Sequence, residues 1–442
     1  MHFNVRFEEI HMKRSPYQLV VAGWIIAFVL GGQCMTASAE TERFIQDRFA
    51  IGFWVDPPIG DDADLRYKEI ADANFTTVIG GFGARTPETV KKQIALCEKY
   101  DLKAIVWRAD LPPAHLPESP AVWGYMIRDE PSAKDFPELR KTVDDIRAAR
   151  PKRLSYINLF PQYASRNQLG TNTYEEHVRR FVDEVGVDVL SMDHYPDMKP
   201  NADGRQGYID NLATMRKYAV EKGIPHWNFF NVMPFGQHFD PTEAQLRWQI
   251  YSSLAYGSKG IFYFCYWTPL SDEFPKGGAI ITREGRKTRH YNQATRINHD
   301  IKQLGPTLMA LTSTGVQRMS PDQNPNDVLK DTPVKSLTNG DYLIGVFRHA
   351  DGRQAVLINN YSFTYTAWPT VEFHAPTEQV REVCKMTGKE IPVLDDSPAM
   401  QGLQISLDAG EGRLFLLPRT AKQIETIEPA PAGDVLKAAP EE

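Results

Sequence analysis

Residues 123 to 132 read WGYMIRDEPS: an apolar run ends at Ile127, and Arg128, Asp129 and Glu130 follow directly before a proline. Two adjacent carboxylates cannot both ionise freely where water is scarce, so one is pushed toward its protonated form and becomes a proton donor near neutral pH. That is general-acid chemistry. The plainer reading of a carboxylate before Pro-Ser is a helix start, and the same applies to Asp56 and Asp193, each of which could cap a helix or pair with an arginine. Other polar groups also stand just after apolar runs: Asp56 after IGFWV, Arg108 and Asp110 after LKAIVW, Gln162 after LSYINLF, His194 and Tyr195 beside Asp193 after VDVLSM, and Asn231 after PHWNFF. Asn158 lies within LSYINLF. Six aromatic residues share these positions, Trp54, Trp107, Tyr195, Trp227, Tyr266 and Trp267, and about half of them are expected to be core rather than platforms for a sugar ring.

The elements that must carry these groups can be counted. Short apolar runs begin near residues 51, 75, 102, 122, 154, 187, 225 and 260. Between them lie amphipathic stretches such as PETVKKQIALCEKY, FPELRKTVDDIRAAR, YEEHVRRFVDEV, YIDNLATMRKYAVEK and AQLRWQIYSSLAYG, with apolar positions recurring at three and four. Strands apolar throughout, rather than alternating, suit a parallel sheet covered on both faces. Eight strand and helix units over this length predict an α/β fold, a (β/α)8 TIM barrel, whose chemistry sits at the C-terminal ends of its strands. The third unit is irregular, because RADLPPAHLPESP holds four prolines and cannot form a regular helix. A last helical stretch, YNQATRINHDIKQLGPTLMAL, closes the barrel. Beyond it DYLIGVFRH, QAVLINNYS, TVEFHA, LQISLDA and GRLFLLP are short strand-forming runs separated by turn residues, which predicts a small antiparallel β-sandwich. The expected organisation is a signal peptide over 1–39, the barrel over 40–312, the sandwich over 313–419 and a disordered tail over 420–442.

The signal peptide rests on Lys13 and Arg14 before LVVAGWIIAFVL, with ASA at 37 to 39, which predicts cleavage after Ala39 and a secreted or periplasmic protein. Met12 begins a shorter leader of the same kind. Gln33 is bulky where a lipid-attachment motif needs a small residue, so anchoring at Cys34 is not expected. Cys97, Cys265 and Cys384 remain, an odd number among apolar neighbours, expected as buried thiols rather than a disulfide framework. A net charge of −6 without a polybasic run gives no support for nucleic acid or membrane-surface partners. No HxH pair follows the first strand, no glycine-rich phosphate loop follows the seventh or eighth, and no GxSxG occurs. Neither a metal nor a cofactor is called for.

Asp129-Glu130-Pro131 on the fourth strand, DHYP at 193 to 196 and GIFYFCYW on the eighth give an arrangement that resembles the clan A glycoside hydrolases, over most of the chain after the leader. In that family the general acid/base glutamate ends strand four, usually as Asn-Glu-Pro, and a nucleophilic glutamate ends strand seven. The resemblance implies a carbohydrate substrate, with Glu130 as general acid/base and Trp54, Asp56, His194, Tyr195 and Trp267 as substrate contacts. Asn158, Trp227 and Asn231 are further rim candidates. The seventh strand, IPHWNFFNVM, has no carboxylate, so the usual nucleophile is missing. Asp193, or next Asp56, could act as nucleophile or base. A separation from Glu130 of about 5 Å would then imply retention, and one of about 6.5 to 9.5 Å inversion. Alternatively Asp129-Glu130 resembles the Asp-Glu pair of substrate-assisted hexosaminidases, in which the Asp orients a 2-acetamido group that attacks the anomeric carbon. A third reading is a barrel that binds carbohydrate without turnover.

Overall fold

In the computed structural model the described residues are 42–199, 201–271, 273–274 and 278–419. The expected signal peptide with Cys34, and the expected tail, lie outside them. Eight parallel strands form one sheet: β1 (Ala50–Phe53), β2 (Thr77–Ile79), β3 (Lys103–Trp107), β4 (Val122–Asp129), β5 (Leu154–Leu159), β6 (Leu190–Asp193), β7 (His226–Asn231) and β8 (Gly260–Phe264). Their hydrogen-bonded order is β1-β8-β7-β6-β5-β4-β3-β2, and β1 meets β2 through Thr76, whose N–H donates to the Ile51 carbonyl at 2.9 Å and whose hydroxyl accepts the Ile51 N–H at 2.8 Å. The sheet thereby curls into a nearly closed barrel, as predicted.

The covering helices are α1 (Ala63–Asp72), α2 (Pro87–Lys99), α3 (Phe136–Ala149), α4 (Tyr174–Glu184), α5 (Arg205–Lys222), α6 (Glu243–Ala255) and α7 (Arg289–Met309). Their starts follow capping chemistry: Thr86, Thr173, Thr242 and Thr288 each accept a first-turn N–H through the side chain. After β3 the proline-rich stretch forms only a 3₁₀ turn at Pro113–His115. With no helix there, the flank between α2 and this segment opens a cavity of about 450 Å³ lined by Val90, Ile94, Trp107 and Leu111. A second cavity, about 620 Å³, lies at the opposite end of the barrel by Gln46, His226 and Lys259.

The barrel interior is filled by Ala50, Ile79, Ile105, Met126, Tyr156, Trp227, Phe229 and Phe262, and an outer layer of apolar side chains packs between strands and helices. Gly52 is required by this packing: a Cβ there would stand 2.4 Å from the Phe262 ring. Cys97 and Cys265 are buried as expected, whereas Cys384 is only half-buried, because it opens a surface turn in which its carbonyl accepts N–H groups from Thr387 and Gly388.

After α7 the chain forms β9 (Leu311–Met319), β10 (Val334–Leu337), β11 (Tyr342–His349), β12 (Gln354–Asn360), β13 (Thr370–Phe373), β14 (Arg381–Val383), β15 (Glu390–Pro392), β16 (Leu403–Gln404) and β17 (Gly412–Leu416). They build an antiparallel six-stranded sheet ordered β9-β11-β12-β17-β14-β15 and a three-stranded sheet ordered β10-β13-β16. The sequence reading missed β9, whose Thr, Ser and Gly residues lack a clear alternation, the four-residue β10, and the three-residue strands β14 and β15. Both faces of the larger sheet are covered. Leu343, Phe347, Leu357, Leu414 and Leu416 join the barrel's outer core, while Ile344, Val346, Val356, Ile358 and Phe415 face the smaller sheet. Among the described residues no helix is long and apolar enough to cross a membrane.

Candidate active site

The acid pair is aimed by a distortion of β4. Its register against β5 slips between Met126 and Arg128, so that Arg128 stands opposite Ile157, a residue of the outer core, and Asp129 opposite Asn158. A bulge of this kind bends the strand and re-aims the next side chains. Glu130 then takes a φ of +46°, uncommon for a residue with a side chain, and its N–H donates to the Asn158 carbonyl at 2.8 Å. Asp129 is solvent-exposed and Glu130 half-buried, at the mouth of the barrel.

From β6, Asp193 reaches the same place. The Asn158 side-chain nitrogen donates to Asp193 Oδ1 at 2.8 Å and lies 3.3 Å from Asp129 Oδ1, so these two carboxylate oxygens are within about 6 Å of each other. Asp193 is 6% exposed. Burial, then the charges of Glu130 and Asp129, push its carboxyl well above the usual range. Although Asp129 touches solvent at the mouth, the protein surrounding its carboxyl on the other sides limits hydration and raises it to about 6 against the pull of the Asn158 amide. Burial and the Asp129 charge raise Glu130 to about 7. At neutral pH this leaves Asp129 largely charged and Glu130 poised between the two states, while Asp193 resists ionisation most strongly because it is the most deeply buried of the three. Three carboxyl groups thus converge, with a proton to give at Glu130.

Tyr195 follows Asp193 at the mouth, in an aromatic cluster with Phe235 (ring centroids 5.4 Å) and Phe264 (5.0 Å). Trp54, half-buried at the end of β1, packs edge-on against Phe82 and Phe229. Tyr163 lies beside His194 with part of its surface open, and desolvation of its hydroxyl, then the nearby Asp193 and Glu130 charges, disfavour its ionisation. The sequence reading had not singled out Tyr163, Phe82, Phe235 or Phe264. The first three lie on loops whose course no periodicity reveals.

Several expected contacts fall elsewhere. Trp227 is fully buried low in the barrel, its indole N–H donating to Gln46 at 3.0 Å, and it packs with Trp123 and Phe262; it is core. Tyr266 is core as well, stacked on Phe53. His194 points outward, as alternation after Asp193 requires: Asn211 Oδ1 accepts both the Gln162 N–H and the His194 Nδ1–H, each at 2.9 Å. Asp56, 1% exposed, accepts the N–H groups of Phe82, Gly83 and Ala84 at 2.8 to 2.9 Å and the Gln93 amide at 3.0 Å. It ties down the loop after β2 and has no capacity left for a substrate. Asn231 likewise serves its own loop, donating to the Phe239 carbonyl and accepting the Met233 N–H, while Gln249 clasps its backbone on both sides. The end of β7, where a nucleophile was missed, is a structural corner. Trp267 turns toward α1, with the Arg66 guanidinium 5.4 Å from its ring centre. Among the described residues no group of three or more His, Cys, Asp or Glu side chains is placed to hold a metal ion.

No protein-family model matches the chain, and no curated protein sequence matches it. Solved structures are similar in fold. A GH42 beta-galactosidase from G. stearothermophilus superposes with a TM-score of 0.58 at 9% identity, covering 85% of this chain and 99% of that one. A beta-galactosidase from Bacillus circulans sp. alkalophilus gives 0.51 at 9% identity, over 84% and 99%. At these identities the likeness establishes the shared architecture, a TIM barrel with further sheets.

Proposed function

We propose that the chain is an exported glycoside hydrolase that cleaves O-glycosyl bonds, with Glu130 as general acid/base and Asp129 as the charged carboxylate that works beside it. In this reading residues 40–312 are the catalytic barrel and 313–419 an ancillary sandwich. The observation that carries it is the convergence of Asp129, Glu130 and Asp193 at the barrel mouth, with Glu130 held near 7. The barrel shared with glycosidases of low identity supports it.

Glu130 donates its proton to the glycosidic oxygen as the bond from that oxygen to the anomeric carbon breaks, the bonding electrons staying on the oxygen. Asp193 suits the part of second carboxylate poorly, because burial and the neighbouring carboxyls disfavour its charged form. Asp129 suits it better: it is charged at pH 7, open to solvent, and bonded through Oδ1 alone. Its free Oδ2 can accept the N–H of a 2-acetamido group whose carbonyl oxygen attacks the anomeric carbon. Glu130, now ionised, then takes a proton from the water that opens the cyclic intermediate. With no carboxylate on β7, this substrate-assisted route is preferred over double displacement.

The test is release of aglycone or reducing sugar from a panel of aryl glycosides, 2-acetamido sugars included, and polysaccharides. Glu130→Gln is expected to lower kcat by about 10² to 10⁴-fold while the protein stays folded. An equally active variant would remove Glu130 from the mechanism. Binding without turnover by the wild type would favour the carbohydrate-binding reading, which the empty strand end at β7 also suits.

A further inference from the structure

Beneath the carboxylates runs a buried chain of side chains whose hydrogen bonds can point only one way. Asp129 Oδ1 and Asp193 Oδ1 both face the Asn158 nitrogen, so the amide's NH₂ is turned to them and its carbonyl lies away. That carbonyl oxygen is 3.0 Å from Ser191 Oγ and cannot donate, so Ser191 gives it the one hydroxyl proton it has. Ser191 can then only accept from the Tyr156 hydroxyl, also 3.0 Å away. Tyr156, Ser191 and Asn158 are 1%, 0% and 4% exposed, so no water competes for these positions.

We propose that Asn158 is a positioning residue that holds Asp129 and Asp193 with one hydrogen each, and that Tyr156 and Ser191 form a relay fixing which end of the amide faces the carboxyls. The inference rests on the proposed glycosidase reading and deepens it, because it assigns Asn158 to the site's charge arrangement and not to substrate contact. Bonds in such a chain polarise one another, so the donor seen by Asp129 is stronger than an isolated amide would be. A flipped amide would present its carbonyl to two carboxyl oxygens, an arrangement only protonated carboxyls tolerate. The other titratable groups facing this cluster are Glu130 from β4, Tyr195 after β6 and Tyr163 after β5. Arg128 stands on the outward side of its strand, opposite Ile157.

Two variants separate a relay from mere packing. Asn158→Ala removes the donor from Asp129, which then holds its proton to higher pH; with less negative charge beside it, Glu130 loses its proton at lower pH. The basic limb of kcat/KM is therefore expected to move to lower pH, with kcat falling about 10²-fold from lost positioning. Ser191→Ala should move the limb in the same direction by less, and Ser191→Thr, which restores the hydroxyl, should return it. In folded protein, an unmoved limb in Asn158→Ala overturns the positioning role, and an unmoved limb in Ser191→Ala overturns the relay. Carbon-13 NMR titration of Asp129, assigned with Asp129→Asn, reads the same quantity without turnover: its pKa must rise in Asn158→Ala. A wild type that cleaves nothing would defeat the glycosidase reading alone. An Asp129 pKa that fails to rise in Asn158→Ala would defeat the positioning role of Asn158, and the relay with it, whatever the activity.

Discussion

Glu130 combines three features: a left-handed backbone, a carboxyl raised to about 7, and a carboxylate neighbour one residue away. Because the Asp129 charge contributes to that rise after burial, Asp129→Asn should move the basic limb of activity to lower pH, and a limb that stays in place would show Asp129 to be electrostatically idle. The same shift has a consequence for stability. The folded-state pKa of Glu130 lies above its ordinary 4.5, so between about 4.5 and 7 the native protein binds more protons than the unfolded chain. Stability from this residue is therefore present in acid and lost as pH rises through that window. Glu130→Gln should accordingly raise Tm at pH 8 and leave it nearly unchanged at pH 5, which thermal unfolding at the two values checks. The acid pair was legible in the sequence because it ends a strand identifiable by counting. The contacts Trp227 and His194 were misread because a sequence does not state at which level, or on which side, of the wall a side chain stands. Trp227, the second residue of β7, lies near the barrel floor, and His194 falls on the outward beat between Asp193 and Tyr195.

At the scale of elements, β4 and β7 divide the work. The bulge in β4 turns Asp129 inward, while Gln249 from α6 locks the end of β7 into a corner that carries Phe235 toward Tyr195. The β2–α2 connection is set by Asp56, whose two oxygens satisfy three backbone N–H groups and Gln93. Removing a buried acceptor leaves each of those donors unpaired, at roughly 1–3 kcal/mol apiece before relaxation. Asp56→Ala should therefore destabilise the protein by about 3 kcal/mol or more in urea unfolding, and a change below about 0.5 kcal/mol would mean that the loop does not depend on it. The absence of a third helix was readable from four prolines. The anchoring role of Asp56 was not, because the N–H groups it serves begin 26 residues downstream at Phe82.

For the whole molecule, the six-stranded sheet is a shared wall. Alternate residues of β11, β12 and β17 enter either the barrel's outer core or the sandwich core, so neither side can be stripped without exposing apolar surface. A chain ending at residue 312 should be insoluble, and recovery of a soluble, folded barrel would contradict the shared wall. Within the sandwich, Arg413 and Glu382 form an ion pair with both residues about 7% exposed. Breaking one side of such a pair costs about 3–5 kcal/mol, so Glu382→Ala should lower the unfolding midpoint of barrel and sandwich together, as tryptophan fluorescence and circular dichroism would report in coincident transitions. The central claim concerns the proton of Glu130, and leaving-group dependence tests it most directly. An acid is needed only when the departing oxygen cannot leave unaided. Glu130→Ala should therefore lose about 10² to 10⁴-fold in kcat/KM on an unactivated glycoside, yet keep a kcat/KM close to that of the wild type on a dinitrophenyl glycoside, since kcat/KM reports the bond-breaking step and not the later hydrolysis that also uses Glu130. Equal losses on both substrates would contradict the assignment of Glu130 as the general acid.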